Sequence, residues 1–305
     1  MKMALALVLF AAPVQAAPVA SGVLLLAHGG DASWNQDIET LRGRVNRDVP
    51  TEVALGMADL ASLQAAVDRL EKRGIKRIVA VPLFIQTRSE VLDQTRYALG
   101  LREKPSEVLK RAYERMAAAH AGHAGHAAGG HGHSMVFSTD RVKSSIPISM
   151  APALDDHALV GRILRERALA LSQAASKEHI ILVAHGPVDD AAVQHWNASL
   201  KSLCGALRAG KFRDCRFGLL RDDAPADIRA ASVAELREKI VRVKALGGRA
   251  IVIPVLIAQG GIERKITKDL AGLDYAWDGK TLMPHAGFDS WVLESVATAD
   301  RTNKP

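Results

Sequence analysis

The chain has 305 residues, which allows two domains of ordinary size, and its 48% hydrophobic and 24% charged residues exclude a largely disordered protein. An aromatic content of 4% argues against a stacking platform for single-stranded nucleic acid. The net charge of +7 comes from scattered Lys and Arg residues without a basic block. We therefore expect no nucleic-acid partner, and a basic cleft for a polycarboxylate ligand would account for the charge equally well.

The N-terminus has the pattern of a secretory signal peptide. Lys2 is followed by the apolar stretch 3–12 and by a small-residue cleavage site, so we expect residues 1–17 to be removed by cleavage after Ala16 or Ala17. The apolar stretch is too short to span a bilayer, and no later segment reaches about 18 apolar residues. The expected mature protein is exported to the periplasm, soluble and without membrane insertion.

The first half of the chain alternates short apolar runs with stretches of helical periodicity, which predicts a parallel α/β unit. Asp31 or Ser33 is the expected cap of the first helix, and Gly74 should end the second. Pro82 should lie at the end of a strand or at a bulge. The predicted strands are 23–28, 51–55, 77–85 and 145–150, and the predicted helices are 31–45, 62–73, 90–100, 106–119 and 155–172.

A low-complexity tract of Ala, Gly and His at 117–134 interrupts this unit. Such a composition is typical of metal binding, and its glycines indicate no preformed geometry, so we interpret the tract as a flexible metal reservoir of modest affinity. The alternative is a flexible linker in which His is enriched by chance. The histidines of the tract are His120, His123, His126, His131 and His133.

The second half repeats the plan of the first. Residues 249–257 parallel residues 77–85 one for one, and alternating strands and helices imply a parallel sheet covered on both faces. We therefore predict an α/β fold of two similar lobes, 20–174 and 178–300, related by internal duplication, each a parallel sheet with helices on both faces. The predicted strands are 180–185, 215–220, 249–257 and 280–283, and the predicted helices are 190–208, 232–245, 262–271 and 290–299.

Cys204 and Cys215 are the only cysteines in the chain. In an oxidising compartment they could form a disulfide bond, as exported proteins often do. Two buried thiols are the alternative, and both readings stay open because the sequence gives no distance between the two Cα atoms.

Each lobe contains a strand that ends in Ala-His-Gly, which places His28 and His185 just past the carboxyl end of a buried strand. Ligands bind at this edge of open α/β sheets. The third strand of each lobe ends at the same edge and is followed by Glu90 in the first lobe and Glu263 in the second. Each lobe can therefore pair a His with a Glu for metal binding or proton transfer. A single such His would more simply be bonded to a loop carbonyl, but two equivalent copies favour function.

Three kinds of segment recur in both lobes: a strand ending in His-Gly, a strand containing Pro, and a Pro-containing segment before the last helix. They are Ala27-His28-Gly29, Val81-Pro82-Leu83-Phe84-Ile85, Ala151-Pro152-Ala153-Leu154, Ala184-His185-Gly186, Ile253-Pro254-Val255-Leu256-Ile257 and Met283-Pro284-His285. Together they resemble the class II chelatases, and specifically the sirohydrochlorin cobaltochelatase/ferrochelatase family. The resemblance covers nearly the whole mature chain, and long members of the family also carry a His-rich tract.

One departure concerns the second functional residue of the family pattern. The cobaltochelatases place a second His eight residues after the strand Pro, where this chain has Glu90 and Ile262. Glu263 instead matches the spacing of the catalytic Glu in the protoporphyrin ferrochelatases. The resemblance thus implies His185 with Glu263 as the main catalytic pair and His28 with Glu90 as the second.

The resemblance implies insertion of a divalent metal, Co²⁺ or Fe²⁺ and with Ni²⁺ as a further option, into a sirohydrochlorin-type tetrapyrrole. This is a lyase reaction of the metal chelatase type in a cleft at the carboxyl edge of the sheets, and it needs no organic cofactor. Besides the His-rich tract, the residues expected to hold the metal are His28, His185 and Glu263. The side chains that could bind substrate carboxylates, or merely form a solvated helix start, are Arg88, Arg264 and Lys265.

Two further functions stay open at the level of the sequence. An exported metal or tetrapyrrole carrier on a chelatase scaffold would explain the signal peptide, because tetrapyrrole assembly is expected in the cytoplasm. A degenerate duplicate kept for interactions is the third reading. Fold resemblance does not establish activity, but the two His–Glu pairs favour the enzyme, and none of these functions requires an oligomer.

Overall fold

The computed structural model describes residues 21–121 and 137–302, so the predicted signal peptide and His123, His126, His131 and His133 lie outside the described residues. In the first unit, β2 has the predicted bounds, and β3 ends three residues before the predicted 85, with Pro82 at the strand end as expected. Asp31 caps the first helix by accepting a hydrogen bond from the Trp34 N–H at 2.9 Å. The elements are β1 (Ser21–Ala27), α1 (Ala32–Val45), β2 (Thr51–Leu55), α2 (Leu60–Lys72), β3 (Arg77–Pro82), α3 (Glu90–Ala98), α4 (Glu107–Ala121), β4 (Ile148–Met150) and α5 (Ala158–Leu171).

The second unit follows the same order of elements. Its first helix has the predicted bounds, whereas the second begins six residues earlier than the predicted 232. The elements are β5 (Glu178–Ala184), α6 (Asp190–Arg208), β6 (Asp214–Leu219), α7 (Ala226–Ala245), β7 (Arg249–Val255), α8 (Ile262–Asp269) and α9 (Gly287–Thr302).

The two sheets are parallel and are built around equivalent central strands. The strand order is β2-β1-β3-β4 in the first sheet and β6-β5-β7 in the second. All seven residues of β1 and of β5 are buried, which explains why residues 23–27 and 180–184 are continuous apolar runs rather than alternating ones. The predicted fold class is confirmed: each sheet carries helices on both faces.

The predicted strand at 280–283 is wrong. Ala276 forms an isolated parallel bridge with Ile251, and the chain then passes over the end of β7 without continuing the ladder. The Leu282 and Met283 N–H groups donate to the carbonyls of Leu256 and Ile257, beyond the last residue of β7. The apolar pattern of this segment therefore reports burial against the strand end and not membership of the sheet.

The last helix of each unit packs across the molecule. Helix α5 contacts α6 and β7 of the second unit, and α9 contacts α1 and β3 of the first. Alternate residues of both central strands, such as Leu25 and Leu182, share one hydrophobic cluster with residues of these four helices. The opposite faces of the sheets pack separately, against α2 and α3 in one case and α7 and α8 in the other. We call α5 and α9 the exchanged helices, because each packs against the other unit. They join both units in one core, so the lobe boundaries at 174 and 178 remain a prediction.

Cys204 on α6 and Cys215 on β6 form a disulfide bond, which settles the alternative left open by the sequence in favour of pairing. The bond ties a helix of the central layer to the edge strand of the second sheet. Over the described part of the chain, none of the helices combines the length and the apolar character that crossing a membrane requires.

Candidate functional site

The two histidines identified in the sequence directly follow the central strands, at the carboxyl edge of each sheet. His28 follows β1 and His185 follows β5, and each ring Nδ1 lies 2.7–2.8 Å from the carbonyl oxygen of the next glycine. The glycine after His185 has φ +79°, and a Cβ there would lie 2.9 Å from Leu219 Cβ. The His-Gly pair is therefore required by the turn, because only glycine adopts this conformation without strain or clash.

His185 has acidic neighbours from the loop that follows β6. Its Nε2 lies 3.4 Å from Oδ2 of Asp223, whose side chain is 62% exposed while that of His185 is 31% exposed. Asp222 completes a group in which one ligand atom from each residue lies within 4.8 Å of the others, close enough to hold a metal ion. Sequence reasoning missed both aspartates, although they directly follow a predicted strand whose carboxyl end lies beside that of β5.

Arg221 fixes the loop that carries His185. Its backbone N–H donates to the His185 carbonyl at 2.7 Å, and its buried guanidinium donates to the Pro187 and Val188 carbonyls. The residue has φ +54°, an uncommon conformation for a side chain other than glycine, asparagine or aspartate. These contacts hold the β5 and β6 loops together, so the positions of His185 and Asp223 depend on one another.

Glu90 of the first unit interacts electrostatically with this group. It is the first residue of α3, which Ser89 caps, and its side chain is half-buried. Burial raises the pKa of Glu90, the Asp223 and Asp189 carboxylates raise it further, and the charge of His185 lowers it. The sequence paired Glu90 with His28 of its own lobe, but the structure places it among charged groups of the second unit.

Glu263 is held by its own helix terminus. Its carboxylate accepts hydrogen bonds from the backbone N–H groups of Gly260 and Gly261 at 3.0–3.2 Å, and its side chain is only 12% exposed. Gly260 lies against the Trp34 ring of the first unit, so the loop after β7 faces α1. This loop thus crosses to the other unit, as the Glu90 loop does, and the observed hydrogen bonds give Glu263 a capping role.

His28 has a simpler environment than His185. Its ring is exposed, and within the described residues it belongs to no group of His and acidic side chains close enough to hold a metal. In the neighbouring loop after β2, Asp59 caps α2 by accepting from the Ser62 N–H at 2.7 Å. Asp59 is thus the acidic residue of the loop that corresponds to the Asp223 loop, and it caps a helix instead of facing the histidine.

The three basic residues proposed for substrate binding have different surroundings. Arg88 is exposed, and its Nη1 lies 3.2 Å from Nε2 of His195 on α6, a contact between the two units that the sequence did not indicate. Arg264 is largely exposed, with its nearest carboxylate, Glu263, at 3.8 Å. Lys265 forms an ion pair with Asp222 and so stands directly beside the His185 group.

His157 and His285 occupy equivalent places at the start of the exchanged helices. The ring Nδ1 of each accepts a hydrogen bond from a backbone N–H of the helix that follows, those of Leu159 and Gly287. Each Nε2 faces a glutamate of the opposite exchanged helix, at 3.9 Å in the case of His157. These histidines connect helices, in agreement with the expectation that His157 has no strand-end position. The side chain of His120 lies outside the described residues.

Comparison with known proteins gives a consistent result. Residues 22–171 match the family model described as CbiX, while a search of the curated proteins found no match. Among solved structures, SirB from Bacillus subtilis with Fe³⁺ matches with a TM-score of 0.56 and 15% identity over 92% of this chain and 95% of that one.

Two further structures have the same fold. SirB from Bacillus subtilis subspecies spizizenii in complex with cobalt, a sirohydrochlorin chelatase, has a TM-score of 0.56 and 13% identity over 93% of this chain and 96% of its own. CbiX, the terminal enzyme for biosynthesis of sirohaem in denitrifying bacteria, has a TM-score of 0.51 and 16% identity over 91% of this chain and 99% of its own.

The protein thus has a two-unit chelatase fold with a histidine at the carboxyl edge of each sheet. Residues 22–171 match the CbiX family model, and the chain as a whole has the fold of the solved sirohydrochlorin chelatases.

Proposed function

We propose that the protein inserts a divalent metal ion, cobalt or iron, into a sirohydrochlorin-type tetrapyrrole, and that it does so at the His185 group. The observation that carries this proposal is the group of His185, Asp222 and Asp223, in which Nε2 of His185 lies 3.4 Å from Oδ2 of Asp223 and which interacts electrostatically with Glu90 of the first unit. One imidazole and several carboxylates suit a borderline divalent ion, and they are also the groups that accept protons in catalysis.

The reaction requires the tetrapyrrole to lose two pyrrole N–H protons as the metal ion enters. In our proposal, Nε2 of His185 and the Asp223 carboxylate hold the incoming ion, because they are the exposed ligand atoms of the group. Glu90 accepts the two protons from the ring one after the other and releases each to solvent before it accepts the next. Its raised pKa suits this role, since a carboxylate with a higher pKa is a stronger base and the proton can afterwards leave to solvent.

The peripheral carboxylates of the substrate need cationic partners. Arg88 and Arg264 are exposed at the ends of the loops that cross between the units, and we assign them to these carboxylates. An Arg can bind a carboxylate through two parallel hydrogen bonds, which would orient the ring over the metal. His28 and Glu263 remain proposed site residues, with metal delivery for His28 and positioning of the β7 loop for Glu263.

The metal proposed here agrees with the relatives, whose structures hold Fe³⁺ in one case and cobalt in another. Metal choice at a mixed imidazole and carboxylate site depends on geometry and availability rather than on intrinsic affinity. Nickel is therefore a useful third ion in any assay.

The decisive experiment is an anaerobic absorbance assay. Mature protein is mixed with sirohydrochlorin and Co²⁺, Fe²⁺ or Ni²⁺, beside His185→Ala and the matched control His157→Ala, which removes another half-exposed His that faces a carboxylate. We expect insertion faster than the uncatalysed rate, lost in His185→Ala and retained in His157→Ala. Equal losses in both variants would contradict the assigned site.

A second function deserves the same assay: an exported metal or tetrapyrrole carrier with little turnover. The disulfide between Cys204 and Cys215 favours this reading, because such bonds persist in oxidising compartments. Stoichiometric binding of the tetrapyrrole without metal insertion would support the carrier. We also propose periplasmic localisation, tested by fractionating cells that express the full chain and by determining the mature N-terminus.

A further inference from the structure

Asp222 lies in the His185 group, but its carboxylate is not available to a metal ion as the structure stands. Its side chain is 5% exposed, Oδ2 contacts Nζ of Lys265 at 2.5 Å, and Oδ1 accepts from Nε of Arg229 at 2.9 Å. Both oxygens therefore already have cationic partners. Burial alone would raise the pKa of Asp222, but the hydrogen bonds from Lys265 and Arg229 outweigh it and lower the pKa, so the group is a carboxylate.

The two cations differ in how firmly they are held. Arg229 also donates to Oδ2 of Asp269 at 2.7 Å, so its guanidinium is fixed between two carboxylates. Lys265 is 53% exposed and, on the contacts observed, has Asp222 as its only carboxylate partner within the described residues. A Lys ammonium is a point charge on a flexible stem, so it can exchange one carboxylate for another at little cost.

We propose that Lys265 is a latch: its ammonium keeps Asp222 from the metal until a carboxylate of the substrate binds Lys265 and frees Oδ2 to join His185 and Asp223 as a ligand. The inference rests on the proposed function and adds a coupling to it. Binding of a polycarboxylate ring and of the metal ion then favour one another, and the coupling is reciprocal because both act through Asp222. Binding of the tetrapyrrole would thus increase the affinity of the site for the metal ion that is then inserted.

The latch is tested by Co²⁺ binding rather than by turnover. Co²⁺ is titrated by calorimetry into the mature protein with and without zinc uroporphyrin, which carries peripheral carboxylates but whose ring is already filled. We expect the porphyrin to raise Co²⁺ affinity about fivefold or more. Lys265→Met should bind Co²⁺ more tightly without porphyrin, by a similar factor, and gain little when porphyrin is added.

Lys268→Met is the matched control, because it removes the same charge from an exposed position one turn further along α8. It should keep the affinity and the coupling of the parent protein. Asp222→Asn in the Lys265→Met background should abolish the gain in affinity. Thermal unfolding of each variant checks that it folds, and Lys265→Gln provides a second, polar replacement.

Equal effects of Lys265→Met and Lys268→Met would overturn the latch, because they would show only the general repulsion between cations. An undiminished gain in the Asp222→Asn double variant would also overturn it. The proposed function fails independently: coupling without insertion into sirohydrochlorin would leave the latch intact on a carrier, and insertion without coupling would leave an enzyme without the latch.

Discussion

The loops that follow β1 and β5 have the same Ala-His-Gly sequence, the same ring-to-glycine contact and different surroundings. His185 faces Asp223 and lies in the loop fixed by Arg221, and its interaction with Glu90 lowers the pKa of that carboxyl group. His28 is exposed, and the acid in the neighbouring loop, Asp59, caps a helix. The comparison shows that the two units share the turn, whereas among the described residues only His185 belongs to a group with acidic side chains close enough to hold a metal ion.

Removing each histidine in turn should produce the largest difference between the two units. His185→Ala should lower the rate of metal insertion by about 100-fold or more, the size expected for losing a proton-transfer or ligand group. His28→Ala should lower it only several-fold. Initial rates at saturating Co²⁺ measure the difference. Similar losses would mean that the two edges act as one site.

The disulfide is a second difference, since the edge strand of the first sheet has no such bond. Replacing Cys204 and Cys215 with Ser should lower the free energy of unfolding by about 2–3 kcal/mol, because the bond closes a short loop with a sequence separation of 11. Denaturant titrations of both forms measure this value. Co²⁺ binding at 25 °C should survive, because neither cysteine contacts the site; its loss would show that β6 depends on the bond for its position.

Substitution of Glu90 tests whether the His185 group of the second unit depends on the first unit. Glu90→Gln should lower the rate of insertion about tenfold while leaving Co²⁺ bound at His185. It should also stabilise the metal-free protein at pH 7.5. The folded-state pKa of Glu90 is raised by burial, so the ionised carboxylate costs stability above that pKa, and the cost disappears as the pH falls below the unfolded value.

Thermal unfolding of Glu90→Gln and of the parent protein should therefore differ at pH 7.5 and converge near pH 4. A variant that is less stable than the parent at pH 7.5 would show that the carboxylate is compensated by a partner and not desolvated. Glu263→Gln is the control, because the carboxylate of Glu263 has backbone N–H partners.

The smallest expected effect concerns His179, which stands on β5 where β1 has Gly22. Its ring is buried against Gly248, and neither nitrogen has a hydrogen-bond partner among the described residues. Burial lowers the pKa of His179, so the folded protein favours the neutral ring. The folded state therefore has its full stability above the unfolded pKa of about 6.5 and loses stability as the pH falls and the ring must take up a proton. His179→Leu should flatten the decrease in unfolding free energy between pH 7.5 and pH 5. An unchanged slope would assign the decrease to other groups.

Much of the fold could be predicted because it depends on local patterns. Buried strands give β1 and β5 the continuous apolar runs 23–27 and 180–184, and α1 and α6 begin and end within a residue of their predicted limits. The segment 280–283 failed because burial at a strand end produces the same apolar pattern as a strand. The start of α7 was placed too late, since residues 226–231 are, apart from Ile228, polar or small and are mostly exposed.

The site was predicted in part. The positions of His28 and His185 follow from the Ala-His-Gly sequence at the end of a buried strand, where both glycines adopt the left-handed conformation. Asp222 and Asp223 were missed, although their place after β6 was visible. The Arg88 contact with His195 and the approach of Glu90 to His185 depend on how the units face one another, which no local pattern encodes.

The repeated α/β plan, the two strand-end histidines and the chelatase resemblance could all be predicted from the sequence, because periodicity and turn chemistry are local properties of the chain. Tertiary structure alone decided the rest. The exchange of α5 and α9 joins the units through one core, and it sets which side chains meet across them. Electrostatic partnership depends on distance and burial, so only the folded chain distinguishes His185 with its acidic neighbours from an exposed histidine with the same local sequence.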